Sequence, residues 1–359
     1  MKSRYNSINF TSWLVLVVML VGLFTACGYD QAAIAGESQN TNLNISVNDP
    51  TASMLPLEKP IEFVSFANPE IGWGISNGDI VFTDDGGRSW SVQVRSSSQP
   101  SVIRDIDIRE AAEKVIALSS TEALTVTFDE ILHTMDRGRT WNRTRLEDVV
   151  IRDFVVTDSG RIWLIGEKRL STPSEGWSVS LFTSEDRGDS WREQKISGPD
   201  FLGWTPWRVW AADSGNIWVV GYEVLRSNDF GKTWVTISLC KGIVGVPAAI
   251  GFFDDFSGFI GTNERDSFCV TSNGGNSWKT RKLPYMLGGV NGIIQTGKAQ
   301  LWAYGGAGVY GSNDQGLTWQ KVLEGGFLSA NYLREYKKLI LVGDRIVITN
   351  LANYIHSHE

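Results

Sequence analysis

Apolar residues recur along this chain in short runs that stop at a turn. GWGIS (72–76), IWLIG (162–166), IWVVG (217–221) and LWAYG (301–305) each carry an early Trp, and VIALS (115–119), GFIGT (258–262) and LILVG (339–343) are weaker copies. A short apolar run bounded by turn residues reads as a buried strand. Seven such strands are predicted. Between them a polar sequence repeats: TDDGGRSW (83–90), TMDRGRTW (134–141), SEDRGDSW (184–191), SNDFGKTW (227–234), TSNGGNSW (271–278) and SNDQGLTW (312–319). Its closing residues are Trp90, Trp141, Trp191, Trp234, Trp278 and Trp319, separated by 51, 50, 43, 44 and 41 residues. That period is one four-stranded propeller blade.

A lone four-stranded sheet cannot bury both faces, whereas a ring of them stacks each on the next. The expected fold is therefore all-β, a seven-bladed propeller with one four-stranded sheet per blade. Six boxes stand against seven strand signals. Counting forward from Ile340 puts Ser357 where a seventh closing Trp would fall. Ring closure requires the last blade to be locked to the first, and residues 351–356 or LNISV (43–47) are expected to complete it.

The box has a structural logic. Asp85, Asp136, Asp186, Asp229 and Asp314, with Asn273 in the fifth copy, can accept hydrogen bonds from the N–H groups of a tight turn. The Gly permits positive φ, and the Trp buries an aromatic face. Asn in one copy suits a structural part and not a catalytic acid. Each box offers one carboxylate, far from the six to eight oxygens calcium takes. No metal and no cofactor is expected.

The N-terminus departs from this pattern. Lys2 and Arg4 precede an apolar run from Trp13 to Phe24, which ends in Thr25, Ala26 and Cys27. The run suits a signal sequence better than a membrane span. LFTAC resembles a bacterial lipoprotein lipobox, which implies cleavage before Cys27 and lipid on its thiol; an uncleaved anchor helix is the other reading. Residues 28–55 are polar and patternless and read as a tether. The domains expected are a signal peptide (1–26), a lipid-anchored tether (27–55) and the propeller (56–359). In an exported protein Cys240 and Cys269 can pair, although spacing alone leaves that open.

The boxes, and the "GW…G…T-x-D-x-G-x-S-W" phrasing around them, resemble the Asp-box (bacterial neuraminidase) repeat and the photosystem II stability/assembly factor family. The resemblance covers roughly residues 57–350. It implies a lipid-anchored scaffold, exported to a periplasmic or thylakoid-lumen side, which binds a membrane complex or its assembly intermediate.

Composition narrows the choice. The 359 residues are 42% hydrophobic and 20% charged, with net charge −7, pI about 5.2, 15 Trp and 37 Gly. A nucleic-acid partner would call for a basic face. A sialidase would need an Arg triad, yet the text before Thr83, PIEFVSFANPEIGWGISNGDIVF, has no Arg. The alternative to a scaffold is a carbohydrate-active propeller, either a glycan binder or a hydrolase with two carboxylates across the funnel. No catalytic residues are assigned, and a monomer is expected.

In a propeller, the turns between second and third strands and the connections between blades open on one face, with the boxes on the other. Text is longest there around blade 3: Trp163 to Trp191 spans 28 residues, against 17 or 16 in blades 1, 4 and 6. The extra segment EKRLSTPSEGWSVS (167–180) and the connection SGPDFLGWTPWRVW (197–210) hold Trp177, Phe201, Trp204 and Trp207. These aromatics form either a partner-binding patch or a small satellite core. A second candidate is the basic stretch 136–153, with Arg137, Arg139, Arg143, Arg145 and Arg152. It either meets an acidic partner or is a solvated strand face.

Overall fold

The computed structural model describes residues 53–56, 60–96, 101–103, 106–108, 112, 114–169, 177–196, 206–243, 247–262, 267–284, 290–343 and 345–350. All belong to the second of the chain's two compact units, residues 45–359. Cys27, Phe201, Trp204 and the segments 43–47 and 351–356 lie outside the described residues.

Seven four-stranded antiparallel sheets follow one another, six of them with their strands in sequential order. Blade 1 runs Phe63–Phe66, Gly72–Ser76, Asp79–Thr83 and Ser91–Val94. The first strands of the blades line the axis, and all neighbours but Lys114–Ala117 and Val149–Val156 pack side by side: Phe63–Phe66, Lys114–Ala117, Val149–Val156, Arg208–Ala211, Pro247–Phe252, Val290–Gln295 and Phe327–Leu333. The apolar runs are the second strands, and their Trp73, Trp163, Trp218 and Trp302 are buried.

The core is a set of layers between blades. Trp163 and Leu181 of blade 3 pack on Val209, Ile217 and Leu225 of blade 4. Val81 of blade 1 packs on Ile340, Ile346 and Ile348 of blade 7. Each blade thus buries its two faces against its neighbours, which is why a single blade would not hold.

Closure differs from the expectation. The outermost strand of blade 7 is Ser53–Pro56, paired antiparallel with Arg345–Asn350, Met54 opposite Val347. The propeller therefore takes in residues 53–55, which the sequence pattern assigns to the tether. This strand also accounts for the missing seventh box. In every other blade the box is the turn from third to fourth strand; in blade 7 those strands come from opposite ends of the chain, so no such turn exists.

Two further departures concern the face opposite the boxes. In blade 3 the second and third strands, Ile162–Arg169 and Trp177–Ser184, each run eight residues, so much of the extra segment continues the sheet. Ion pairs of Glu167 with Arg152 and of Lys168 with Glu193 accompany the extended ladder. The longer insertion is 95–113, between blades 1 and 2. It contains a two-stranded hairpin, Ser101–Ile103 and Ile106–Ile108. The widest box spacing, from Trp90 to Trp141, is its signal in the sequence.

Cys240 and Cys269 are joined by a disulfide. It links the connection after blade 4 to the third strand of blade 5, and Thr280 Oγ1 of the fourth strand donates to the Lys241 carbonyl at 2.6 Å.

Candidate partner-binding face

The box turns are self-contained. In blade 2, Thr134 Oγ1 donates to Asp136 Oδ1 at 2.9 Å and accepts the Gly138 N–H at 2.8 Å. Thr140 donates its N–H to the same Oδ1 at 2.9 Å and its hydroxyl to Oδ2 at 2.6 Å. The Ser190 hydroxyl and N–H, then Ser184, hold Asp186 down to about 2, and Thr233 followed by Ser227 does the same for Asp229. Donors stabilise the charged form. Asn273 keeps the pattern by reversing one bond: its Nδ2 donates to Ser277 Oγ at 2.9 Å.

Two consecutive residues of each box are left-handed, where the sequence pattern assigns only the Gly. Arg137 (φ 64°), Arg187 (60°), Phe230 (60°) and Gln315 (59°) precede the Gly. A non-Gly residue in this region costs about 1–2 kcal/mol. The conformation sends its N–H to the blade's own first turn: Arg137 to Thr121 O at 2.9 Å and Phe230 to Gly215 O at 3.1 Å. The Gly itself has a second cause. A Cβ on Gly275 would stand 2.2 Å from Trp218 of blade 4, and one on Gly316 2.6 Å from Phe268 of blade 5. Each box thereby sits against the preceding blade. Trp90, Trp191 and Trp234 are half-buried, and each indole N–H donates to its own box Gly carbonyl.

On the opposite face, Trp177 opens the third strand of blade 3 and is 38% exposed. Trp207 is half-buried at the entry to blade 4, its N–H held by Val220 O at 2.7 Å. Its ring meets the edge of Tyr222, centroids 5.0 Å apart. Tyr222 is 48% exposed in the tight turn between the second and third strands of blade 4. Exposed Arg208 stands beside this pair and donates Nη1 to the Trp207 carbonyl at 2.7 Å. The partner of Trp207 is thus a residue that loop length does not point to. An aromatic inside a three-residue turn, GYE, is the signal it leaves.

The Arg-rich stretch does not form one patch. Arg137 and Arg139 are exposed on the box face. Arg143 and Arg145 lie on the outermost strand of blade 2, paired with Glu130 at 3.0 Å and with Asp129. Arg152 sits at a bulge in the first strand of blade 3 and is held by Glu167.

The comparisons fit this geometry. The BNR-Asp box repeat model matches residues 225–237, the blade 4 box. No curated protein matches the chain by sequence. Among solved structures, YCF48 bound to D1 peptide is 19% identical with TM-score 0.57, over 83% of this chain and 95% of that one. YCF48 from Cyanidioschyzon merolae is 17% identical with TM-score 0.57, over 84% and 99%. The WD40 repeats of RRP9 are 10% identical with TM-score 0.60, over 84% and 97%. The chain is an Asp-box propeller. At these identities the likeness is one of fold.

Along the axis of the Asp-box propeller, a hydrolase would require two facing carboxylates. Among the described residues of the seven first strands, Asp153 is the one carboxylate. It is 5% exposed and committed: Oδ1 takes Lys114 Nζ at 2.9 Å from blade 2, and Oδ2 takes the Val209 N–H at 2.9 Å from blade 4. It joins three blades. Ser329 and Asn331 of blade 7 likewise accept the Val64 and Phe66 N–H groups of blade 1.

Proposed function

We propose that the protein is a non-catalytic scaffold that holds a segment of a protein partner on the face opposite its boxes. The observation that carries this reading is the Trp207–Tyr222 ring pair, presented by tight backbone on a rigid blade, with Trp177 on the neighbouring taller blade. Aromatic anchors on a rigid frame are the usual energetic centre of a protein interface. The fold shared with a YCF48 solved with a D1 peptide supports a peptide or protein segment as the partner. The resemblance to photosystem II stability/assembly factors makes that partner a membrane complex or its assembly intermediate. Export with a lipid on Cys27 belongs to the same proposal. The buried Cys240–Cys269 disulfide supports an oxidising compartment.

Pull-down from the membrane fraction identifies the partner. Trp207→Ala and Tyr222→Ala are then expected to weaken its binding by about 2 kcal/mol or more, with little change in Tm. A variant that melts lower yet binds as before makes the pair a satellite core and removes the site. Cys27→Ser is expected to release the protein from membranes or leave it unprocessed; unchanged attachment and mass overturn the anchor.

A further inference from the structure

The box face carries apolar side chains that the box does not require. Met135 is 61% exposed, Leu317 65% and Phe256 64%, with Phe230 and Tyr336 also exposed. Met135 lies between the first Thr and the Asp of its box. The same position holds Asp84, Glu185, Asn228, Ser272 and Asn313 in the other copies. Leu317 lies between the Gly and the last Thr, where the others hold Arg88, Arg139, Asp189, Lys232 and Asn276. Phe256 and Tyr336 are in the turns between first and second strands of blades 5 and 7, on the same face. Five of the ten large hydrophobic side chains exposed among the described residues stand on this face, one on each of blades 2, 4, 5, 6 and 7, an arrangement that suits contact with a broad apolar surface.

The chain path says what that is. The closing strand pairs Ser53 with Ile348 and Pro56 with Arg345. Arg345 begins the third strand of blade 7 at the partner-binding face and Asn350 ends it at the box face, so Ser53 lies at the box-face end. The chain therefore enters the propeller at Ser53 on the side that carries the apolar tips. We propose that the box face rests on the lipid surface in which the anchor is held, turning the Trp207–Tyr222 pair away from the membrane. The inference rests on the lipid-anchor reading above. Exposed charges of both signs share the face, Arg139, Lys232 and Lys337 with Asp84, Glu185 and Asp189. The surface it fits is one of electrically neutral headgroups, entered by apolar tips to a shallow depth.

The test places a fluorophore on single cysteines of the lipidated full chain in phosphatidylcholine vesicles brominated along the acyl chains. Cys240 and Cys269 are bonded to each other and do not take the label. Labels at Leu317→Cys and Phe256→Cys, both exposed, are expected to lose fluorescence. A label at Glu147→Cys, in the connection between blades 2 and 3 on the other face, keeps it. Flotation of the vesicles reports the anchor separately. Protein that fails to float overturns the anchor reading and this inference with it. Protein that floats with neither face quenched, or with Glu147 quenched instead, overturns the orientation alone. Labels unquenched in lipid vesicles but shielded in native membranes assign the box face to a protein, which also overturns the lipid proposal.

Discussion

Blades 1 to 6 and blade 7 solve one problem by different means. Each of the first six must hold its outermost strand against the third and its edge against the preceding blade, and a box does both within eight residues. Asp136 fixes the turn from inside, while Gly138 brings it so close to blade 1 that Gln93 Nε2 reaches the Arg137 carbonyl. Blade 7 has no turn at this place. Its outer strand arrives from the other end of the chain, with Met54 opposite Val347. The box is a local device, repeatable wherever the chain continues. The closing strand is non-local and occurs once.

The largest effect is therefore expected in blade 7. Val347 is fully buried in a strand with partners on both sides, Leu341 and Met54. Proline there removes ladder bonding and clashes within the sheet, at a cost of about 3 kcal/mol or more. Val347→Pro should lower the denaturant midpoint and make unfolding less cooperative as the ring opens. An unchanged, single sharp transition would mean that closure is not what holds the ring.

That asymmetry also explains what could be read from sequence. The six boxes and seven apolar runs are local patterns, so blade number, blade length and the place of the box turns are legible. SMLP (53–56) has no pattern to read, because its place depends on pairing with residues far away in the chain. Tyr222 leaves no such pattern either: loop length points to the long text of blade 3, part of which is strand. The buried contact of His133 with Glu122 at 3.0 Å, joined by Arg187 from the blade 3 box at 2.6 Å, is a seam across two blades. In sequence it appears only as a His ahead of a box. The Arg residues at 137–152 looked contiguous because they are neighbours in sequence, yet a turn, an outer strand and an inner strand carry them apart.

A box glycine and a turn glycine outside the boxes sharpen the contrast. Gly275 (φ 79°) and Gly160 (φ 85°) are both left-handed. A Cβ on Gly160 meets nothing within 4 Å, whereas one on Gly275 meets Trp218. Gly160→Ala should cost about 1 kcal/mol, the conformational penalty alone. Gly275→Ala should cost about 2–4 kcal/mol, since it must also displace a buried aromatic at the seam. Equal losses in urea unfolding would show that the turn conformation, and not the approach of the two blades, is what demands glycine.

The smallest effect separates the charge of the box from its shape. Asp186 and Asp229 titrate at about 2 when folded, below the ordinary carboxylate value near 4, because their hydroxyl and N–H donors favour the ionised form. A folded pKa below the unfolded one adds stability above about pH 4 and loses it as pH falls toward 2. Acid should therefore destabilise the protein progressively across that window through Asp186 and Asp229, and Asp85, Asp136 and Asp314 are lowered in the same direction. Blade 5, with Asn273, and blade 7, without a box, contribute nothing to it. Asn273 demonstrates that an amide fits the turn, donating to Ser277 where a carboxylate would accept. Asp186→Asn with Asp229→Asn should thus lower Tm modestly at pH 7, because charge-assisted bonds become neutral ones. The gap to the parent protein should narrow as pH falls through 3 and close near 2, where the parent carboxylates take up protons. A gap that stays constant with pH would mean that the boxes act by shape alone, and that the acid limb belongs to other carboxylates.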